Sequence, residues 1–131
     1  MTPRPAPRAP CPCGSGLPFG ACCSPILQGD PAPTALALMR SRYTAYALGD
    51  EDHLFRSWHP ATRPAPPYCD PTAEWAGLSI LEVEAGAETD AEGVVEFEAS
   101  WASPAGPGSM RERSRFIRRA RRWVYFDGEV R

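Results

Sequence analysis

Four cysteines stand together near the start of the chain, Cys11 and Cys13 one residue apart and Cys22 and Cys23 adjacent, with eight residues between the pairs. The segment reads CPCGSGLPFGACC, too rich in Gly and Pro to build a core of its own. Thiolates this close suit a tetrahedral zinc ion. Pro12 can hold an extended kink that turns Cys11 and Cys13 toward one point, and Gly14, Ser15 and Gly16 allow a tight reversal, because Gly tolerates positive φ. Adjacent cysteines can ligate together only where the backbone turns or starts a helix, so a bend is expected at 22–23. Pro18 and Phe19 are placed to cover the site, with Phe19 excluding water. Ligation by all four thiolates closes the coordination sphere, which points to structural Zn2+ rather than a catalytic ion with an open position. Such a segment owes its folding to the metal. Its loss is expected to unfold residues 10–25 and leave the body standing.

Composition bounds what surrounds the site. At 131 residues, 43% hydrophobic and 23% charged, the chain has the make-up of an ordinary globular protein, one modest domain plus an appendage. No stretch approaches the ~18–20 apolar residues of a membrane span. The start, MTPRPAPRAP, has arginines but no apolar run behind them, so it does not read as a secretory signal. The expected compartment is the cytoplasm, where thiols stay reduced. A disulfide knuckle or another thiophilic ion are the alternatives to zinc, and that setting favours a metal. A net charge of -2 sets up no global field toward nucleic acid, and the absence of lysine excludes Schiff-base chemistry.

The elements that must position any further chemistry follow from periodicity. Residues 1–9 read as a disordered Pro/Arg tail, 10–29 as the zinc knuckle and 30–131 as the body. Thr34 can cap a helix running to about Leu48, in which Leu36, Met39, Tyr43 and Tyr46 or Ala47 form one apolar stripe, with Arg40 and Arg42 elsewhere around it. Gly49 and Asp50 close it, and a short helix follows over 51–58, ended by His59-Pro60. His53 falls on its solvent-facing side, and Cys69 is a lone thiol in a Pro-rich loop. After Trp75 the period becomes two, with strands at 78–85, 94–102, 110–118 and 123–127. Helices first and one antiparallel meander second make an α+β fold.

A four-residue loop at 104–107 would set Trp101 opposite Met110, Ala99 opposite Glu112 and Phe97 opposite Ser114. On the other face Glu98 would meet Arg113 and Glu96 would meet Arg115. By alternation Glu112, Ser114 and Phe116 share one face, joined under this register by Phe97 and Trp101. Residues 70–105 hold nine carboxylates and no base, so cross-strand neutralisation accounts for much of the arginine run that begins at Arg111. Arg118, Arg119, Arg121 and Arg122 cluster at the last turn, where a phosphate-contacting tip is the alternative.

The cysteine segment resembles the SEC-C motif, a zinc knuckle known from the tail of the SecA translocase motor, with Cys23 in the place of the last ligand. The stretch LMRSRYTAYALGDEDHLFRSWHPATRP, followed by WAGLSI, VVEFEAS, RERSRF and RRWVYFDG, resembles the YchJ family over residues 10–128. That resemblance implies a SEC-C knuckle followed by a nuclear transport factor two-like cone, helices packed on a curved antiparallel sheet of about four strands around an apolar cavity. It implies that Trp58, His59 and Arg63 line or cap the mouth, with Glu112, Ser114 and Phe116 on the facing strand and Tyr43 on the helix. It implies no reaction.

The expected function is therefore a cytoplasmic zinc-binding adaptor, monomer or homodimer, whose knuckle docks a protein or ribosomal surface and whose cone holds a small ligand. The alternative is a small-molecule enzyme of isomerase, hydratase or hydrolase type using His59 and Glu112 as acid and base, for which geometry comes before pKa. Against it stands a buried polar brace in which Glu112 pairs with Arg63 or Arg42 and Ser114 bonds His59. A further alternative is RNA binding through the arginine tip at 118–122.

Overall fold

The adjacent cysteines do sit on a bend. A 3-10 turn, Phe19–Ala21, passes through Cys22 (φ -125°, ψ -99°) into helix α1, Cys23–Leu27. Gly14 and Gly16 make the preceding reversal at φ 75° and 85°, where a side chain would strain the backbone. The computed structural model describes residues 2–131.

Helix α2, Ala35–Leu48, starts where Thr34 accepts a hydrogen bond from the Ala37 amide at 3.1 Å, and it ends on Gly49 in the left-handed region. Such a cap contributes about 1 kcal/mol. Asp50 then accepts from the His53 amide and starts α3, Glu51–Arg56, two residues shorter than expected because Ser57 and His59 pair with β4 instead. The single apolar stripe expected for α2 is a correction. Ser41, Arg42 and Thr44 are buried along with Leu38, Met39 and Tyr43, because α2 is wrapped by the knuckle and α3 on one side and the sheet on the other. A helix covered on most sides cannot be read from a stripe. His53, expected to face solvent, is 3% exposed beneath α2.

The sheet has the order β1-β2-β3-β4, each neighbour antiparallel: β1 Glu74–Ala85, β2 Glu92–Ala102, β3 Gly108–Arg119, β4 Arg122–Val130. Irregularities at Trp75/Gly77, Ile80/Glu82 and Arg115/Phe116 bend it. Its inner face carries Val95, Phe97, Ala99, Ser114 and Phe116, all buried on the side of the sheet that holds the core. The expected β2–β3 register is off by two residues. Ala99 faces Met110, Phe97 faces Glu112 and Glu96 faces Arg113. A two-residue shift leaves every side chain on its expected face, which is why alternation survived and the named partners did not. The connection runs over 103–107, with the Gly106 amide donating to the Ser103 carbonyl. On the outer face Glu96 accepts from Arg111 and Arg113, Arg113 also reaches Glu82 and Glu84, and Arg115 grips Asp127 at 2.6 and 2.7 Å. Arg111 is the main reason the Glu96 carboxyl lies below its usual range.

The segment expected as a disordered tail makes backbone contacts with the rest of the chain. Met1 lies outside the described residues, but Thr2 donates to the Ala47 carbonyl, Phe19 to Ala9 and Gly20 to Pro7, and Pro10 bridges Pro18. The knuckle is no separate appendage either. Cys11, Cys13, Phe19, Cys23, Ile26 and Leu27 belong to one continuous core with Leu38, Met39, Tyr43 and Phe97. No helix among the described residues is long and apolar enough to cross a membrane.

Candidate functional site

The local bend brings the Sγ atoms of Cys11, Cys13, Cys22 and Cys23 within 4.8 Å of one another. Cys13 and Cys22 are 3.6 Å apart, and Cys22 and Cys23 are 3.9 Å apart. A tetrahedral ion with bonds of about 2.3 Å sets its sulfurs ~3.8 Å apart, whereas a disulfide holds them at about 2.05 Å. All four cysteines are free thiols whose spacing suits a metal ion. Hydrogen bonding from Cys11 holds the Cys13 thiol far below its ordinary range, burial pushes Cys22 up to about 11, and the contact with Cys11 pushes Cys23 up. Four thiolates crowded together need a cation to ionise jointly. Helix α2 braces the cluster from behind. The Thr44 hydroxyl donates to Cys23 Sγ at 3.3 Å, and Arg40 Nη1 donates to the Cys13 carbonyl at 2.9 Å. The Ser15 hydroxyl lies 3.2 Å from Cys22 Sγ, and Phe19, 2% exposed, belongs to the same buried core as Cys11, Cys13 and Cys23, while Cys22 is half-buried.

On the opposite side of α2 the bent sheet leaves a cavity of about 280 Å³. Among the expected site residues, Tyr43, Trp58, Phe97, Glu112, Ser114 and Phe116 line it; His59, Arg63 and Trp101 do not. Pairing of Ser57 and His59 with Tyr125 turns His59 away, so that its Nδ1 accepts from the Ala61 amide at 3.0 Å and its ring packs on Phe126. Arg63 lies over the Phe55 ring at 3.7 Å. Trp101 packs on Trp75 and covers Gly108, where any Cβ would come within 2.6 Å of the indole. The expected His59–Glu112 acid–base pair is thus not assembled. Neither is the brace: Glu112 Oε2 accepts from the Ser114 hydroxyl and from Tyr125 Oη at 3.1 Å.

Arg42, named from the sequence only as one of two possible partners for Glu112, is a cavity residue in its own right. It is 5% exposed and lines the cavity, its guanidinium lying 4.7 Å from each of the Trp58 and Tyr125 ring centroids. Nη1 donates to Ser57 Oγ at 2.7 Å and to the Leu54 carbonyl at 3.2 Å. Burial lowers its pKa, and burial raises those of Tyr46 and Tyr125 beside it. A signal existed, for Met39, Arg42, Tyr43 and Tyr46 fall at i, i+3, i+4 and i+7 on α2. Tyr125 was likewise legible as the alternation partner of Trp123.

The remaining candidates are dispersed. Arg118 Nη1 donates to the Glu88 carbonyl and Arg122 Nη1 to the Gly29 carbonyl, while Arg119 and Arg121 are exposed on the turn. Cys69 is half-buried, and burial pushes its thiol up to about 12, which leaves it unreactive.

Comparison with known proteins agrees with both halves. A family model described as "YchJ, middle NTF2-like domain" matches residues 34–128, and one for the SEC-C motif matches 8–25. A UPF0225 protein of Chromobacterium violaceum is 52% identical over 128 residues, 94% of each chain. One of Streptomyces coelicolor is 48% identical over 94% of this chain and 97% of its own. Among solved structures, a SEC-C motif containing protein from Rhodopseudomonas palustris superposes with a TM-score of 0.79 at 32% identity, covering 92% of this chain and 98% of that one. Another, from Psychrobacter arcticus, has a TM-score of 0.68 at 24% identity over 86% and 72% of the two chains, and shares the fold.

Proposed function

Because the chain belongs to the YchJ (UPF0225) family, a SEC-C motif ahead of a nuclear transport factor two-like domain, we propose that it is a small-molecule-binding module stapled by a structural zinc ion. One observation carries the reading: a buried arginine, Arg42, lines an aromatic cavity of about 280 Å³ with no carboxylate in salt-bridge contact among the described residues. Concave, mostly apolar sites with a few convergent polar groups are where small ligands bind. The closed set of four thiolates supports zinc in a structural role. Docking of a protein or ribosomal surface has less to act with, since Phe19, Ile26 and Leu27 of the knuckle are buried and Leu17, at 51%, is its exposed large apolar side chain. The acid–base reading lacks one member of its pair, His59 being held outside the cavity.

The test uses protein-observed NMR with a library of small aromatic fragments, on the wild type and on Ala99→Leu. Ala99 is 2% exposed on the cavity wall, so the larger side chain fills the space. Fragments that shift amides of Phe97, Glu112 and Tyr125 in the wild type should lose that effect in the folded variant. Equal shifts in both proteins would sink the proposal.

A further inference from the structure

The polar groups of the cavity restrict what it can hold. We infer that its ligand is a flat, uncharged molecule bearing a carboxamide or lactam, with the carbonyl oxygen set against Arg42 and the N–H against Glu112. This rests on the ligand-binding reading above and narrows it to a chemical class.

Size sets the first limit. About 280 Å³ is just below the usual range of ligand pockets, roughly 300–1,000 Å³, which suits a single small ring system. The walls set the second. Tyr43, Trp58, Trp75, Phe97 and Phe116 line it, and small aromatic bodies pack well among such rings.

Hydrogen-bonding capacity sets the third. Arg42 has five N–H donors; two hydrogen bonds leave from Nη1 and the Tyr46 hydroxyl lies against the guanidinium, which leaves donor capacity for a ligand carbonyl. Glu112 accepts from Ser114 and Tyr125 through Oε2 alone, so Oε1 keeps its acceptor capacity among the described residues. The two groups form no salt bridge, which places their charged atoms more than 4.0 Å apart. A ligand group between them must accept on one side and donate on the other.

Charge decides among such groups. Arg42 and Glu112 are the charged residues of the cavity lining and cancel each other. A carboxylate ligand would satisfy Arg42 and face Glu112; an amine would do the reverse. A zwitterion would match both but bring two ions out of water, a desolvation cost that their pairing seldom recovers. A carboxamide or lactam supplies the same donor and acceptor with no net charge. Burying it costs little once both are hydrogen-bonded.

The experiment titrates the full chain, by protein-observed NMR, with four probes that share one ring: benzamide, benzoate, benzylamine and toluene. Benzamide should bind about tenfold more tightly than each of the others, the worth of one well-made hydrogen bond to a charged group. Toluene binding as tightly as benzamide would overturn the amide class while leaving the cavity reading in place. Binding of none of the four, or binding unchanged in Ala99→Leu, would overturn the cavity reading and this inference with it. Glu112→Gln tests the charge argument by removing the repulsion against benzoate. It should narrow the preference for benzamide over benzoate about tenfold, and an unchanged ratio would overturn the role given to Glu112.

Discussion

His53 is buried to 3% exposure with its Nε2 2.9 Å from Ser41 Oγ. Ser41 donates its own proton to the Leu38 carbonyl at 2.7 Å, so Nε2 must be the donor and the neutral ring has a bare Nδ1. That Nδ1 has no partner among the described residues. Burial, then the cations of Arg42 and Arg56, lowers the His53 pKa from 6.5 to about 4, against the smaller opposing pull of Asp50 and Asp52. The sign follows from which state takes the proton first. The unfolded chain protonates near 6.5 and the folded one only near 4, so this stabilisation is fully present above pH 6.5 and is lost as pH falls toward 4. The expected loss is on the order of 3 kcal/mol at a fully buried site. Denaturant unfolding between pH 7 and 4 measures it, with His53→Gln as the control. If the variant kept the wild-type slope across that window, the assignment to His53 would be wrong.

At the scale of elements, the β1–β2 hairpin is clamped to the start of α2. The Ala35 amide donates to the Gly86 carbonyl at 3.0 Å, and the backbones of Gly86 and Gly93 nearly touch. A Cβ on Gly93 would come within 2.6 Å of Gly86 Cα and 2.9 Å of Ala35 Cβ. Both obstacles are rigid, one of them backbone, so hairpin and helix must move apart. Gly93→Ala is expected to destabilise by roughly 1–3 kcal/mol, the usual cost of overpacking. An adjacent substitution off the clamp, Glu92→Ala, should cost far less. Thermal melting of the two variants decides it, and equal melting temperatures would refute the clamp.

For the whole molecule, one helix joins two sites. Thr44 and Arg40 reach the thiolate cluster, while Met39, Arg42, Tyr43 and Tyr46 line the cavity on the other side. Because the knuckle and the body share one core, removing the metal should not stop at the sequence-based limit of residues 10–25. Chelation is expected to lower the melting temperature of the entire chain by several degrees, as a loss of ~1–2 kcal/mol does for a domain this size. It should also speed amide exchange along α2. Exchange that rose only before residue 30 would restore the appendage model.

Much of this was legible in the residues alone. Four cysteines at that spacing define a thiolate site, because the ligands and the turn that gathers them lie within one short segment. The elements followed from periodicities of 3.6 and two, and inner and outer faces of the sheet survived a register error of two residues because alternation repeats every two. Tertiary structure decided what those elements face. The sequence could not tell that α2 lies between knuckle and sheet, which is why His53, read as solvent-facing, is buried and why Arg42 was placed only as a possible partner of Glu112. Nor could it tell that pairing between residues 57–59 and β4 turns His59 out of the cavity and leaves Arg42 at its wall. The pairing of 57–59 with Tyr125 joins residues more than 60 positions apart, and even the contacts of His53 with Ser41 and of Arg42 with Ser57 cross from one helix to the next, beyond the reach of local propensity.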